Sequence, residues 1–214
     1  MYNSPINQLN NTPFTLSVLA AMYPETKHIS DKARRLEQAG RIIRLKRDLY
    51  VRSSGDGASP STMLIANHLY GPSYVSLHTA LRHYGLIPER VYETQSMTIK
   101  HSRSFDTPLG LFSYHTCPTD YFPIGIRQEK DGNDVYLIAS PEKALCDLIL
   151  KTTGVHTTSS RSLRTFLESD LRLDIELLKD FDTDLIRLCR THATVKNETI
   201  THIINLIDNE QRHL

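Results

Sequence analysis

The stretch HISDKARRLEQAGRIIRLKRDLYVR, which runs from 28 to 52, decides the fold of the first part of the chain. Its first half places Ile29, Ala33 and Leu36 at positions i, i+4 and i+7. That spacing puts apolar side chains on one face of an α-helix and leaves the opposite face polar. The pattern predicts a helix over about 28–39, which Gly40 ends.

The second half of the same stretch has the pattern of two short strands. Apolar and basic side chains alternate from Ile43 to Lys46, and Leu49 and Val51 continue the apolar register after Arg47-Asp48. Alternation with period two is typical of a half-buried strand, and the Arg-Asp pair supplies the turn. We therefore expect a basic β-hairpin directly after the helix.

A further helix is expected upstream, over 16–22, with Thr15 as its cap and Pro24 after its end. Helix, turn, helix and basic hairpin, in that order, predict a winged helix-turn-helix over residues 1–52. The stretch Ser53–Ser59 is small, polar and glycine-bearing, so it is interpreted as a linker. A second domain is expected over 60–214.

The second domain is predicted to contain strands in its middle and helices at its end. The strand-like runs lie between about 92 and 138, and helical patterns fill most of the chain from Ser140 onward. This order favours an α+β fold, with a mixed α/β domain of antiparallel strands and a helical C-terminal tail. A chain of 214 residues is long enough for two small domains with their own cores.

Charge is distributed unevenly along a chain whose net charge is only +1. Residues 27–52 contain nine basic and three acidic side chains, for a local charge of +6. Residues 163–210 contain six basic and ten acidic side chains, for a local charge of −4. The sequence therefore combines a basic N-terminal module with an acidic C-terminal one, which suggests an anionic partner for the first.

Several classes of protein are disfavoured by the sequence. No apolar run approaches the roughly 20 residues of a membrane span, and no secretory signal is visible, so a cytoplasmic protein without a membrane partner is expected. Cys117, Cys146 and Cys189 are widely spaced and form no CxxC pair, which predicts free thiols and no zinc site. We expect no cofactor and no metal.

Three patterns resemble catalytic or metal motifs but have simpler explanations. Ser140-Pro-Glu-Lys143 matches S-x-x-K without the partner motifs, and Ser140 suits a helix cap. The alternating aspartates 180, 182 and 184 lack the glycine and distal glutamate of a calcium loop. His78 and His83 are five residues apart, which does not align two ligands on one helix face. No catalytic residue is assigned, and the chain is predicted not to be an enzyme.

The basic hairpin and its helix carry the strongest functional signal. Duplex DNA presents closely spaced phosphates, which a cationic helix and wing can neutralise. A helix of this kind packs its apolar face and leaves its polar face free for the major groove. The same basic face would also suit a protein-binding winged helix. The candidate DNA-binding residues are Lys27, Ser30, Lys32, Arg34, Arg35, Arg44, Lys46 and Arg47.

Three stretches in order resemble a known family. They are GRIIRLKRDLY at 40–50, YVSLHTALRHYGL at 74–86 after Gly71-Pro72, and IASPEKALCDLI at 138–149. Together they resemble the AbiEi-like antitoxins of bacterial type IV toxin–antitoxin systems, over about residues 12–150. One departure is Asp48, where such wings often have glycine; aspartate also tolerates a positive φ, but its carboxylate weakens a phosphate contact there.

The resemblance implies a protein with two roles. The N-terminal winged helix would bind double-stranded DNA, the operator upstream of its own operon, with Lys27, Lys32, Arg34 and Arg35 as helix contacts and Arg44, Lys46 and Arg47 as wing contacts. The C-terminal domain would counter a nucleotidyltransferase-like toxin. Tyr50 would anchor the wing to the core, and Ser76, Leu81, Gly85 and Pro141 would be architectural.

Three alternatives remain open from the sequence. The chain could be a stand-alone transcriptional regulator, because family members occur without a toxin gene. It could be a winged helix that binds protein and no DNA. A third reading is an enzyme that acts through the second domain, suggested by the Glu142/Lys143 pair and the histidines between 78 and 83.

Overall fold

The computed structural model describes residues 5–53, 60–88, 92–153 and 159–212. Helices and strands are both well represented, so the predicted α+β class is confirmed at that level. The predicted linker Ser53–Ser59 lies, after its first residue, outside the described residues. None of the described helices is long and apolar enough to cross a membrane.

The N-terminal part contains two α-helices and one hairpin. A 3-10 turn at Pro5–Gln8 is followed by α1 (Leu16–Met22), α2 (Ile29–Gln38), β1 (Ile42–Lys46) and β2 (Leu49–Arg52). The two strands pair antiparallel, and Phe14 forms an additional antiparallel bridge with Tyr50 on β2. The buried side chains that hold these elements together are Ile6, Phe14, Leu19, Ala33, Ile42 and Tyr50.

The hairpin also packs against the rest of the chain. Leu45, Leu49 and Val51 are buried in the large apolar cluster that fills the second part of the molecule. Since successive strand residues point to opposite faces, the hairpin contributes one set of side chains to each cluster. Because it contributes to both clusters, the hairpin packs against the second part of the chain as well as against the N-terminal helices.

The second part surrounds a six-stranded sheet with helices. In chain order its elements are α3 (Thr62–Leu69), β3 (Ser73–Val75), α4 (Leu77–His83), β4 (Glu93–Thr98), β5 (Arg103–Thr107), β6 (Gly110–Thr116), β7 (Ile126–Asp131), β8 (Asp134–Ala139), α5 (Pro141–Lys151), α6 (Ser160–Thr165), a π-helical turn (Phe166–Asp170), a 3-10 helix (Ile175–Asp180), α7 (Thr183–His192) and α8 (Asn197–Arg212).

The sheet contains the expected antiparallel pairs, but it is mixed, because two further pairs are parallel. Its strand order is β5-β6-β4-β3-β8-β7. The β4–β6 and β3–β8 pairs are parallel, whereas β3–β4, β5–β6 and β7–β8 are antiparallel. The parallel pairs arise because β6 inserts between β4 and β5, and because β8 returns beside β3 after a long excursion of the chain.

A close approach at Gly125 and a serine cap position the start of α5. Gly125 adopts φ +62°, and a Cβ atom at this position would lie 2.9 Å from the Lys143 Cβ. Ser140 caps the helix, and its Oγ accepts a hydrogen bond from the Lys143 N–H. The close approach therefore packs the chain before β7 directly against the first turn of α5.

Candidate nucleic-acid interface

A groove of about 650 Å³ separates α2 from the β1–β2 hairpin. It brings together four of the predicted DNA-binding residues: Ser30 and Arg34 from α2, Arg44 from β1 and Arg47 from the turn. All four side chains belong to exposed residues. The complete lining is Leu16, Ser17, Ser30, Arg34, Glu37, Arg44, Arg47, Asp48 and Tyr50.

The helical phase of α2 explains which of its residues reach the groove. Ser30, Arg34 and Glu37 are spaced by four and three positions, so they lie on one face. Ala33 is buried on another face, where Ile29 and Leu36 also pack against the N-terminal cluster. The apolar stripe thus anchors α2 and turns the Ser30–Arg34 face toward the hairpin.

The groove arginines form only weak internal contacts. The Arg34 guanidinium lies 2.9 Å from the Asp31 carboxylate, but the two side chains are 67% and 53% exposed. The Arg44 Nε donates a long 3.4 Å hydrogen bond to the Lys46 carbonyl. Exposed ion pairs of this kind contribute little to stability, so both guanidinium groups remain available to an anionic partner.

Asp48 occupies the turn of the hairpin in a left-handed conformation, with φ +57°. Its carboxylate accepts a 2.9 Å hydrogen bond from the Leu16 N–H, the first residue of α1. The predicted tolerance of aspartate for positive φ is confirmed. The carboxylate has a structural partner, since it satisfies a backbone donor that the helix itself leaves unpaired.

We expect Asp48→Ala to lower the free energy of unfolding by about 1 kcal/mol, because alanine loses the helix-end hydrogen bond and disfavours positive φ. Asp48→Asn keeps an acceptor oxygen and tolerates the same backbone, so its effect should be smaller. Urea denaturation of the full chain measures both. Equal stability of the Ala and Asn variants would contradict this role.

Lys46 lies away from the groove. Its Nζ donates a 2.5 Å hydrogen bond to the Leu69 carbonyl and sits 5.7 Å from the centre of the Phe105 ring. Burial lowers the pKa of Lys46, and the nearby charges of Arg103 and Lys100 lower it further. In this position the ammonium group links the hairpin to the second part of the chain.

The other predicted contacts do not line the groove. The Lys32 ammonium lies 4.6 Å from the centre of the Tyr23 ring, on a different side of α2. Lys27 precedes α2, and Arg35 projects from a face that is neither apolar nor directed at the groove; both residues are exposed. Tyr50 does line the groove, but it is buried and stacks on Phe14 at 6.1 Å between ring centres, which agrees with the anchoring role that the resemblance implies.

Glu37, Ser17 and Leu16 also line the groove and were not predicted from the sequence. The spacing of the sequence could have identified Glu37, because it follows Ser30 by seven positions and Arg34 by three and so shares their face of the helix. Ser17 carried no comparable signal. Its place in the groove depends on how α1 packs beside the hairpin.

The residues whose pattern resembles catalytic motifs have structural contacts in the fold. Lys143 is completely buried, and Ser140 serves as the predicted helix cap. His78 bonds to Gln95 at 3.1 Å, whereas His83 bonds to Glu129 at 2.6 Å. Within the described ranges, no group of three His, Cys, Asp or Glu side chains is arranged to hold a metal ion.

The cysteines are free thiols, as the sequence predicts, and the aspartate run has a structural role. All three cysteines are buried free thiols. Asp182 caps α7, where its carboxylate accepts hydrogen bonds from the Asp184 and Leu185 N–H groups. This contact gives the run a local structural role at a helix junction.

Comparison with known proteins adds no family assignment. No protein-family model matches the chain, and no curated protein matches it either. The resemblance to AbiEi-like antitoxins therefore rests on the three sequence stretches quoted above.

Proposed function

We propose that the chain is a DNA-binding antitoxin of a type IV toxin–antitoxin pair, which represses its own operon from the cytoplasm. The observation that carries the DNA-binding part is the groove in which Ser30, Arg34, Arg44 and Arg47 converge. Three guanidinium groups on a helix and an adjacent hairpin supply the positive charge and the hydrogen-bond donors that bind phosphates.

The element order supports a winged helix-turn-helix as the DNA-binding unit. A short helical turn, α1, α2 and the β1–β2 hairpin follow one another, and an isolated antiparallel bridge joins Phe14 to Tyr50 on the hairpin. In this interpretation α2 enters the major groove and the hairpin turn contacts the adjacent backbone. The buried stripe of α2 and the exposed arginines agree with that orientation.

The antitoxin part of the proposal draws on the family resemblance. The stretches 74–86 and 138–149 both belong to the second part of the chain, which would counter a nucleotidyltransferase-like toxin. Their residues meet in the folded protein, because the Ser76 Oγ donates a 2.6 Å hydrogen bond to Asp147. This contact joins two stretches that are distant in sequence.

A mobility-shift series tests the DNA-binding part. The full chain is titrated against the DNA upstream of its own gene and against a scrambled duplex, at several salt concentrations. We expect preferential binding to the upstream duplex, with an affinity that falls steeply as salt rises, since bound arginines release counterions. Absence of binding at low salt would contradict DNA binding and favour a protein-binding winged helix.

Co-expression tests the antitoxin part separately. The chain, and a version with an inactive groove, are expressed with a nucleotidyltransferase-like protein encoded beside it. We expect both versions to restore growth, because neutralisation uses the second part of the chain. If neither version restores growth although the unmodified chain binds the operator, a stand-alone transcriptional regulator is favoured.

A further inference from the structure

Glu37 places a negative charge inside the groove that the arginines make positive. It lines the groove with Arg34, Arg44 and Arg47, and the residue is exposed. Among the residues that the structure describes, no ion pair or hydrogen bond engages its carboxylate. The second groove carboxylate, Asp48, differs because it accepts from the Leu16 N–H.

The chemistry of a carboxylate restricts what Glu37 can contact on DNA. An ionised carboxylate only accepts hydrogen bonds, and phosphate oxygens only accept as well, so the two repel each other. In the major groove the hydrogen-bond donors are the exocyclic amines of cytosine and adenine. A carboxylate on the exposed face of a helix in the major groove can therefore accept a hydrogen bond from a base, whereas the phosphates of the backbone offer it no donor.

We infer that Glu37 is a specificity-determining residue that accepts a hydrogen bond from the N4 amine of a cytosine in the operator. Arg34 lies one helical turn earlier on the same face and is suited to a neighbouring guanine, which offers two acceptors to a guanidinium group. Glu37 also repels phosphates in a misaligned complex, so it lowers affinity for unrelated sequences. This inference rests on the proposed DNA binding.

A base-substitution experiment tests the assignment. The full chain first selects duplexes from a pool with a randomised centre, and each selected position is then replaced by all four base pairs in anisotropy titrations. We expect a cytosine preference of about tenfold at the Glu37 position. Glu37→Gln should change that preference to adenine, whose N6 and N7 suit a carboxamide, and Glu37→Ala should abolish it.

Glu25→Gln is the matched control, because Glu25 is an exposed acid of the same N-terminal part that does not line the groove. It removes the same charge and should leave every base preference unchanged. If Glu37→Gln only raises affinity for all duplexes equally, as the control does, the base contact is overturned. A wild-type chain that binds no duplex at low salt overturns the proposed DNA binding and this inference together.

Discussion

Replacement of Lys143 by methionine is expected to lower the free energy of unfolding by about 3–5 kcal/mol, because it leaves a buried carboxylate without its cation. Lys143 and Asp147 are both completely buried, with 3.5 Å between Nζ and Oδ1. They are one turn apart on α5, in the stretch 138–149 that carries the family resemblance. Chemical denaturation of the full chain measures the loss.

The ion pair belongs to a network that joins α5 to two other segments. The Lys143 Nζ donates a 2.9 Å hydrogen bond to the Tyr121 carbonyl. Asp147 accepts from the Tyr121 hydroxyl at 2.7 Å and from the Ser76 Oγ at 2.6 Å. Each charge is therefore satisfied from more than one side, and the removal of one partner disturbs the whole set.

A double-mutant cycle separates the pair from general damage to the core. We expect Asp147→Leu alone to be as destabilising as Lys143→Met, since it leaves a buried ammonium group. The combined variant removes both charges, so its loss should be smaller than the sum by about 2 kcal/mol. Strictly additive losses, or a methionine variant of normal stability, would contradict a tight ionic coupling.

The local features of the fold were predictable because short-range chemistry determines them. The apolar spacing of α2, the Ser140 cap of α5 and the Asp48 turn each depend on residues within one or two helical turns. The burial of Tyr50 was expected from the family resemblance alone, because the register of the hairpin places it on the face opposite Leu49 and Val51. Patterns of this length are visible in a single sequence.

The sheet topology was not predictable, because long-range pairing decides it. β3 has only three residues, all buried, and shows no alternation. β5 has a mostly exposed pattern of an edge strand, with charged Arg103 and Asp106. Neither segment stands out from its neighbours in composition, and the insertion of β6 beside β4 depends on contacts distant in sequence.

The candidate site was predictable in part, for a related reason. Charge and helical phase identified Ser30, Arg34, Arg44 and Arg47, which the structure brings together. Lys46 has the same alternation as Arg44, but its side chain meets the Leu69 carbonyl of the second part. That contact depends on how the hairpin packs against a distant segment, and no pattern within 42–52 encodes it.

The variant Arg34→Ala/Arg44→Ala is expected to bind the upstream duplex about 100-fold more weakly, since a well-placed arginine contact contributes about 1–3 kcal/mol. The two residues represent the two sides of the groove, α2 and β1. With Arg34 assigned to a guanine and Arg44 to a phosphate, the slope of log affinity against log salt should fall by about 0.9. Anisotropy titrations across a salt series measure both quantities.

The variant Arg161→Ala/Arg212→Ala is the matched control, because both arginines are exposed and lie in the second part of the chain, outside the groove. It removes the same net charge, so a uniform electrostatic attraction would weaken equally in the two variants. A loss confined to the Arg34/Arg44 variant localises the contact to the groove. If the groove variant keeps both its affinity and its salt slope, the DNA assignment is wrong, and the exposed arginines serve a protein partner.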